Sequence, residues 1–304
     1  MDGIIPLYKQ KGMTSNDCVR RCRGILSMKR VGHSGTLDPN VDGVLLLCVG
    51  RATKVVNYLM DSGKIYTGEI TLGLATTTED LDGEVIETKR LVRPFTSVEI
   101  SEKMQLLTGE QIQIPPLYSA VKVNGRRLYA YARAHQSVER PKRKINVAYF
   151  RQTGATTFDS ATGQQKCYFE ISCGKGTYVR TLATDLGRLL GVPAVMSQLT
   201  RQQSGSFKIS DTVSLSQLEK LTKLDRVQEI IADLDTALQK FEHYQLDLTE
   251  WQKVRNGGFL KLQYISEKLV LTYNGKSRCI YHWHSKYLCY VPEQMIDLTE
   301  GNQT

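Results

Sequence analysis

Long apolar runs are missing from this sequence of 304 residues, and no stretch approaches the roughly 20 apolar residues that a membrane-spanning helix needs. The first stretch, MDGIIPLYKQKG, also lacks the charged head, apolar middle and small-residue cleavage site of a secretory signal. Internal repeats and low-complexity tracts are absent as well, which excludes a solenoid and a long linker. We therefore expect a cytoplasmic protein that has no membrane as a partner.

Cysteine pairs of the CxxC type are also absent, although the sequence has seven cysteines. An odd number of widely spaced cysteines is not a disulfide framework, so we expect reduced and mostly buried thiols. Among the five histidines, only His282 and His284 are spaced so that an alternating strand brings them to one face. No cysteine or carboxylate motif completes a metal site around that pair. The sequence predicts a function without a metal or another cofactor.

Acidic residues are the minority charge, because 31 Asp and Glu stand against 40 Lys and Arg and leave a net charge of +9. Such an excess favours a polyanionic partner, since neutralised phosphates release counterions. The positive residues concentrate in two clusters, which are Arg20, Arg21, Arg23, Lys29 and Arg30, and Lys122, Arg126, Arg127, Arg133, Arg140, Lys142, Arg143 and Lys144. A solvated charged face would look similar. The two clusters together favour a nucleic-acid footprint.

Strands and helices alternate without the regular rhythm of a parallel α/β fold. Period-two alternation predicts strands over 64–74, 145–152 and 167–172. Capping residues followed by apolar stripes predict helices over 14–27, from Thr96 to Gly109, from Ser214, and over 178–190 up to Gly191. We therefore expect a mixed α+β fold with a largely antiparallel sheet and flanking helices.

The pattern of helix and strand signals in the sequence changes near residue 240. A short helix around 248–254 is followed by the strand-like runs KLVLTY, SRCIYHWH and KYLCYV, with turn residues between them. This pattern predicts two domains, a large one over 1–239 and a small β-rich one over 240–304.

The segment RVGHSGTLDPNVDGVLLLCVGRATK, residues 30–54, places one acidic residue, Asp38, after a glycine-rich turn. An Asp before a proline often does no more than open a turn. That interpretation leaves unexplained the flanking basic residues, His33 and four glycines in the same segment. Glycines permit close approach of a bulky ligand, and a histidine can bond a phosphate or a sugar. Both interpretations remain open from the residues alone.

Residues 32–54 resemble the signature G-H-x-G-x-L-D-P-x-A-x-G-x-L of the TruB family of tRNA pseudouridine synthases. Four further stretches are similar to family motifs in the same order, namely KQKGMTSND (9–17), KIY (64–66), PPLYSAVKVNGRRLYAYAR (115–133) and CGKGTYVRTLATDLG (173–187), which LTR (199–201) follows. The resemblance implies the pseudouridine synthase fold with a small C-terminal domain like a PUA domain. Two positions depart from the family pattern, because Gln10 replaces a proline and Val41 replaces a small residue.

The resemblance also implies roles for individual residues. Asp38 is the expected catalytic nucleophile, Arg180 the cation that holds its carboxylate bidentately, and Tyr66 the ring that stacks on the target base. Leu199 is the expected pocket wall, and His33 is expected to support a base flipped out of its stack. The remaining expected RNA contacts are Lys9 and Tyr178, together with a basic thumb-like insertion over about 121–144 that contains Lys122, Arg126, Arg127, Lys142 and Arg143.

The implied function is the isomerisation of a uridine to pseudouridine at position 55, in the TΨC loop of the tRNA T arm, by a monomer that needs no protein partner. A carboxylate suits this reaction because it can attack C1′ or C6, or assist proton loss from the sugar, without a cofactor. Three alternatives remain: a guide-RNA-dependent relative that modifies ribosomal RNA, a non-catalytic RNA-binding module, and a hydrolase of the glycosidic bond. The hydrolase would usually need a second carboxylate.

Overall fold

A computed structural model describes residues 1–263 and 266–299 of the chain. The strands are β1 (Gly3–Lys9), β2 (Val31–His33), β3 (Asp42–Val49), β4 (Lys64–Leu72), β5 (Leu74–Thr76), β6 (Val85–Thr88), β7 (Gly109–Gln113), β8 (Lys122–Val123), β9 (Arg126–Arg127), β10 (Arg143–Gln152), β11 (Thr157–Asp159), β12 (Gln164–Cys173), β13 (Ala194–Ser204), β14 (Phe207–Lys208), β15 (Glu242–Gln245), β16 (Lys268–Tyr273), β17 (Lys276–His284) and β18 (Cys289–Met295). The α-helices are α1 (Ser15–Leu26), α2 (Val56–Met60), α3 (Ser97–Gln105), α4 (Leu128–Arg133), α5 (Val179–Leu190), α6 (Leu215–Lys223) and α7 (Leu248–Val254).

A ten-stranded sheet forms the centre of the molecule. Its main path runs β1-β3-β13-β4-β12-β10-β7, with β2, β11 and β14 pairing at its margins. The pairs along this path are antiparallel except β13 with β3, where Thr200 and Arg201 lie beside Asp42 and Gly43 in parallel. The expected mixed α+β fold with a largely antiparallel sheet is confirmed.

Two helices that frame the candidate site begin and end where their sequences predict. Thr14 and Asp17 form a capping box at the start of α1, which buries Cys18, Cys22 and Leu26. Helix α5 follows Tyr178 and ends at Gly191, whose φ of 73° suits a residue without a side chain. Arg180 therefore lies in the first turn of α5, as predicted.

The predicted helix from Thr96 to Gly109 is too long. The capping box of Thr96 and Glu99 is present, but α3 ends at Gln105. The hydroxyl of Thr108 donates a 2.7 Å hydrogen bond to the Gln105 carbonyl, which satisfies a group at the helix end. Gly109 then begins β7 instead of ending the helix.

The two faces of β1 and β3 pack into different apolar clusters because side chains alternate along a strand. One cluster includes Ile5, Leu7, Leu45 and Leu47 and extends under α1 and α5 to Tyr66 and Leu199. The other cluster joins residues of the same two strands to residues of the C-terminal sheet; its members include Ile4, Val44, Leu46, Cys48, Val270, Ile280 and Ile296.

A separate four-stranded sheet, in the order β15-β16-β17-β18, forms the C-terminal part. Helix α7 covers it and buries Trp251 in a third apolar cluster. Polar contacts also tie this C-terminal part to the helical segment that follows β3: the Tyr58 hydroxyl donates to Glu293 at 2.8 Å, and Lys54 donates to the Ile296 carbonyl at 3.1 Å.

All seven cysteines are free and buried, which confirms the expected thiols. Over residues 1–263 and 266–299, no helix is long and apolar enough to cross a membrane. The same part of the chain holds no group of three or more His, Cys, Asp or Glu side chains that could bind a metal ion.

Candidate active site

A cleft of about 290 Å³ opens beside the turn that carries Asp38. Strands β4 and β13 form one wall of it, and the residues that lead into α5 form another. The candidate residues that line it are Asp38, Tyr66, Arg143, Tyr178, Arg180 and Leu199. Residues distant in sequence are thus brought to one site.

Arg180 contacts several segments of the chain around this cleft, and only 4% of its surface is exposed. Its Nε lies 3.1 Å from Asp38 Oδ2, and its Nη1 lies 3.5 Å from Asp80 Oδ2. The two terminal nitrogens also donate to backbone carbonyls, Nη1 to Thr78 at 2.9 Å and Nη2 to Tyr118 at 3.0 Å. The expected partnership with Asp38 is present, but the expected bidentate grip is not. The guanidinium instead distributes its donors over three segments of the chain.

Asp80 is a site residue that the sequence analysis did not identify. It lies in the polar turn TTTEDLDG, where Thr78 Oγ1 and the Asp82 N–H both donate to its Oδ1. Glu79, the preceding residue, has a φ of 64°, which is uncommon for a residue with a side chain. The composition of this turn does not by itself point to a site, and the contact of Asp80 with Arg180 is what places it there.

Burial raises the pKa of Asp38 above its usual value, and the carboxylates of Asp80 and Asp82 add to that rise. Arg180 and Lys9 oppose it because positive charges favour the ionised form. A nucleophilic carboxylate acts only when ionised, so the active fraction increases as the pH rises through this raised pKa. A nearby cation is therefore needed to favour the ionised form of Asp38 in the buried cleft.

Tyr66 and Leu199 line the cleft from neighbouring strands and are 8% and 7% exposed. Tyr66 pairs with Arg201 in the register of β4 and β13, and Leu199 pairs with Gly68. Burial raises the pKa of the Tyr66 hydroxyl, so this side chain stays neutral at physiological pH. An aromatic face and an aliphatic wall of this kind suit a planar base.

Lys9 does not occupy the position expected of an RNA contact. Its side chain is fully buried, and its ammonium donates to the carbonyls of Gln10, Pro39 and Val41 at 3.1, 3.0 and 2.6 Å. All three N–H groups are therefore used inside the protein. Lys9 holds the turn that presents Asp38, and RNA cannot reach it there.

His33 ends β2, one residue before the cleft-lining Ser34, and does not itself line the cleft. Its Nδ1 accepts a 3.3 Å hydrogen bond from the Gly35 N–H. Burial lowers the pKa of His33, which favours the neutral ring. A neutral ring at the margin of the cleft is compatible with a stacking role.

The basic insertion over 121–144 forms an ordered hairpin and a short helix. Strands β8 and β9 flank the turn Asn124–Gly125, in which both residues have positive φ, as a type I′ turn requires. Buried Leu128 anchors the start of α4. The five predicted contact residues of this insertion are exposed, and they are Lys122, Arg126, Arg127, Lys142 and Arg143.

The exposed arginines of the insertion lie against tyrosine rings. The Arg126 guanidinium lies 4.7 Å from the ring centre of Tyr131, and Arg127 and Arg133 lie 5.8 and 5.4 Å from that of Tyr129. Such contacts restrict the long arginine side chains before a ligand arrives. Tyr178, which lines the cleft, donates its N–H to Gln113 Oε1 at 2.8 Å.

Comparison with known proteins adds a relationship over the whole chain. The model of the TruB family pseudouridylate synthase N-terminal domain matches residues 23–179, and that of the tRNA pseudouridylate synthase B C-terminal domain matches residues 180–239. A tRNA pseudouridine synthase B of Ligilactobacillus salivarius is 54% identical over 302 residues, which cover 98% of this chain and 100% of that protein. Another from Pediococcus pentosaceus is 55% identical over 296 residues and covers 97% and 99%.

Solved structures show the same fold at low sequence identity. The archaeal box H/ACA sRNP Nop10-Cbf5 complex contains a chain with a TM-score of 0.71 and 21% identity, covering 97% of this chain and 86% of that one. At this identity the likeness concerns the fold alone, and it confirms the expected architecture.

Proposed function

Because the chain belongs to the TruB family of pseudouridylate synthases, we propose that it isomerises uridine 55 in the TΨC loop of tRNA, with Asp38 as the nucleophile. That the chain is a tRNA uridine isomerase follows from the family and from relatives about 54% identical over nearly their full length. The position in the tRNA and the role of Asp38 are the proposed part. The role of Asp38 is supported by its contact with Arg180 on the cleft that Tyr66 and Leu199 line, and the position in the tRNA is carried over from the family resemblance.

The reaction breaks the bond from N1 to C1′, turns the base and joins C5 to C1′, while C5 loses a proton and N1 gains one. No electrons are exchanged with another molecule, so the chemistry requires no cofactor. Asp38 supplies the carboxylate, and Arg180 keeps it ionised when a base fills the cleft and removes water. One carboxylate could perform any of three first steps, namely attack on C1′, attack on C6 or removal of a sugar proton.

A uridine inside a tRNA loop must leave its stack before Asp38 can reach its sugar. Tyr66 would stack on the extruded base, Leu199 would close the opposite side, and His33 would support the vacated stack. Tyr178 would contact the RNA at the cleft.

We assign residues 1–239 to the catalytic domain and 240–304 to a small RNA-binding domain like a PUA domain. The separate four-stranded sheet and α7 support this division. We also propose that the enzyme works in the cytoplasm as a monomer without a protein partner, since one chain contains every residue of the proposed site.

Wild-type protein should release tritium from a tRNA transcript labelled at C5 of uridine, without any guide RNA, because forming the C5–C1′ bond frees that hydrogen. A transcript with cytidine at position 55 should release none above background. Tritium counting in charcoal supernatants measures both reactions.

Other outcomes identify the alternatives. Release only after a guide RNA is added would indicate the guide-dependent class. Free uracil in place of pseudouridine would indicate a glycosidic hydrolase, and binding without either product would indicate an RNA-binding module. Release from the cytidine 55 transcript would show that another position is the target.

Removing one cation from the basic insertion should weaken tRNA binding while leaving the chemical step intact. Lys142→Ala removes an exposed ammonium, and a lost phosphate contact should reduce the slope of log Kd against log salt by about 0.7 to 0.9. Arg226→Ala is the control, since Arg226 is exposed and paired with Glu229 at 2.6 Å outside this insertion. Filter binding at several salt concentrations measures the slopes. Equal slopes for wild type and Lys142→Ala would contradict the assignment of this insertion.

A further inference from the structure

Two buried cations line the bottom of the cleft without a carboxylate partner. Lys64 on β4 is 8% exposed and Arg201 on β13 is 1% exposed, and both line the cleft. The strands are paired, with Tyr66 opposite Arg201 and Lys64 opposite Ser204. Within residues 1–263 and 266–299, no carboxylate oxygen lies within 4 Å of either cation, whereas Arg180 in the same cleft meets two.

Each of the two cations has N–H groups that donate to no carbonyl group among the described residues. Lys64 Nζ donates to the carbonyls of Met60 and Ser62 at 3.0 and 2.9 Å, and an ammonium has three N–H groups. Arg201 donates from Nε to Val44 at 2.6 Å and from Nη2 to Gly35 at 3.4 Å, and a guanidinium has five. At least one N–H of each group therefore remains for a ligand in the cleft.

Ser34 adds a third donor beside them. Its side chain is fully buried, lines the cleft and has no hydrogen-bond partner for Oγ in the described part of the chain. The next residue, Gly35, has a φ of 131°, and a Cβ there would lie 3.7 Å from Lys64 Cε and 3.8 Å from Arg201 Nη1. Gly35 therefore lies beside both cations, and Ser34 precedes it in the chain.

This arrangement is costly for the empty protein. Buried charges need a partner of opposite sign, and buried hydroxyls need a hydrogen bond. Burial, reinforced by the positive charges of Arg201 and Lys175 and opposed by Cys173 and Asp61, lowers the pKa of Lys64 to about 8. An anionic oxygen is a ligand that each of these three cleft-lining groups could bind.

We propose that Lys64, Arg201 and Ser34 form an oxyanion subsite that binds a negatively charged oxygen of the target nucleotide. This rests on the proposed function and adds a ligand to the same cleft. Two sources share the chemistry. One is a phosphate that adjoins the target uridine. The other is an oxygen of the uracil ring, which gains negative charge if the bond from N1 to C1′ breaks with its electron pair left on the ring. The ring loses that charge when C5 bonds to C1′, after which C5 releases a proton and N1 gains one.

Two substitutions test the subsite on the full-length protein. Lys64→Met keeps the length of the stem, and Ser34→Ala removes only the hydroxyl. Each should lower a step of the reaction by about 10- to 100-fold, the range expected for a lost hydrogen bond to a charged group. The matched controls are Lys166→Met, which removes a lysine paired with Glu69 elsewhere on the sheet, and Ser277→Ala, which removes a buried unpartnered hydroxyl of the C-terminal sheet. Both controls should behave as wild type.

The step that is lost identifies the source of the oxygen. A phosphate predicts weaker tRNA binding by both variants, and a methylphosphonate at that phosphate should weaken wild-type binding equally. A ring oxygen predicts unchanged Kd and a slower single-turnover rate. Rates and affinities within twofold of wild type for both variants, with melting temperatures unchanged, would overturn the proposal.

The pH profile separates this role from a merely structural one. Lys64 binds an anion only when protonated, so the wild-type rate or affinity should fall as the pH rises through about 8. Lys64→Arg should restore most of the loss seen in Lys64→Met and move that fall to higher pH, because a guanidinium stays charged. An unshifted alkaline limb in Lys64→Arg would count against the subsite. If wild type binds tRNA but releases no tritium, the proposed function fails, and the subsite is judged by Kd alone.

Discussion

Asp38→Asn should abolish tritium release from tRNA while leaving tRNA affinity within about twofold of wild type. The amide keeps the shape of the carboxylate but is a poor nucleophile and carries no charge. Loss of the nucleophile costs other enzymes on the order of 10⁴- to 10⁶-fold in rate, and a comparable loss is expected here. Affinity should persist because the cationic surface of the basic insertion is untouched. Single-turnover tritium release and filter binding measure the two properties.

Asp42→Asn provides the comparison within the same segment. The Asp42 carboxylate accepts hydrogen bonds from Tyr8 at 3.1 Å and Thr200 at 2.6 Å and does not line the cleft. It should retain most of the wild-type rate. Full turnover by Asp38→Asn would falsify the assignment of the nucleophile, and equal loss in both variants would show that the segment tolerates no change of charge.

Arg180→Ala should lower the single-turnover rate by at least about 10³-fold, and Arg180→Lys by about 10²-fold. Loss of one hydrogen-bond donor to a developing charge lowers the rate of other enzymes by about 10²- to 10³-fold. Alanine removes every N–H donor of the Arg180 side chain. Lysine restores a charge but not the planar set of N–H groups that reaches Asp38, Asp80 and two carbonyls. Without the Arg180 guanidinium, the pKa of Asp38 should also rise further.

The pH dependence distinguishes this electrostatic role from lost packing. Asp38 must be ionised, so a higher pKa moves the acidic limb of the rate profile of Arg180→Ala to higher pH. Arg188→Ala is the control, since that exposed arginine of α5 pairs with Asp185 at 2.7 Å on the same helix. An acidic limb identical to that of wild type would mean that Arg180 does not set the ionisation of Asp38. Arg180→Ala should in addition lower the melting temperature, because Asp80 loses its buried partner.

Local sequence signals predicted the elements that carry the site. The capping residues of α1 and the αL glycine after α5 act within one turn of the chain, and both helices lie where those residues place them. The alternation over 64–74 predicted the strand that presents Tyr66. The resemblance to the family motifs implied the partnership of Asp38 with Arg180.

Long-range contacts were beyond these signals. The role of Lys9 depends on carbonyls about 30 residues away along the chain, and a basic residue in a basic protein suggests RNA first. Asp80 belongs to a turn whose composition resembles many solvated turns, and only its distance to Arg180 distinguishes it. Lys64 and Arg201 look unremarkable in strands until their burial beside the cleft is known.

The alternation of side chains along β1 and β3 has a consequence for how this enzyme unfolds. One face of these strands packs in the cluster that contains Tyr66 and Leu199. The other face buries Ile4, Val44 and Leu46 in a cluster that also contains Val270 and Ile280 of the C-terminal sheet. Removing that sheet would expose part of this cluster to water, at a cost of about 25 cal/mol for each Å² of apolar surface. Heat or denaturant should therefore melt both parts in a single cooperative transition, because one apolar cluster spans them.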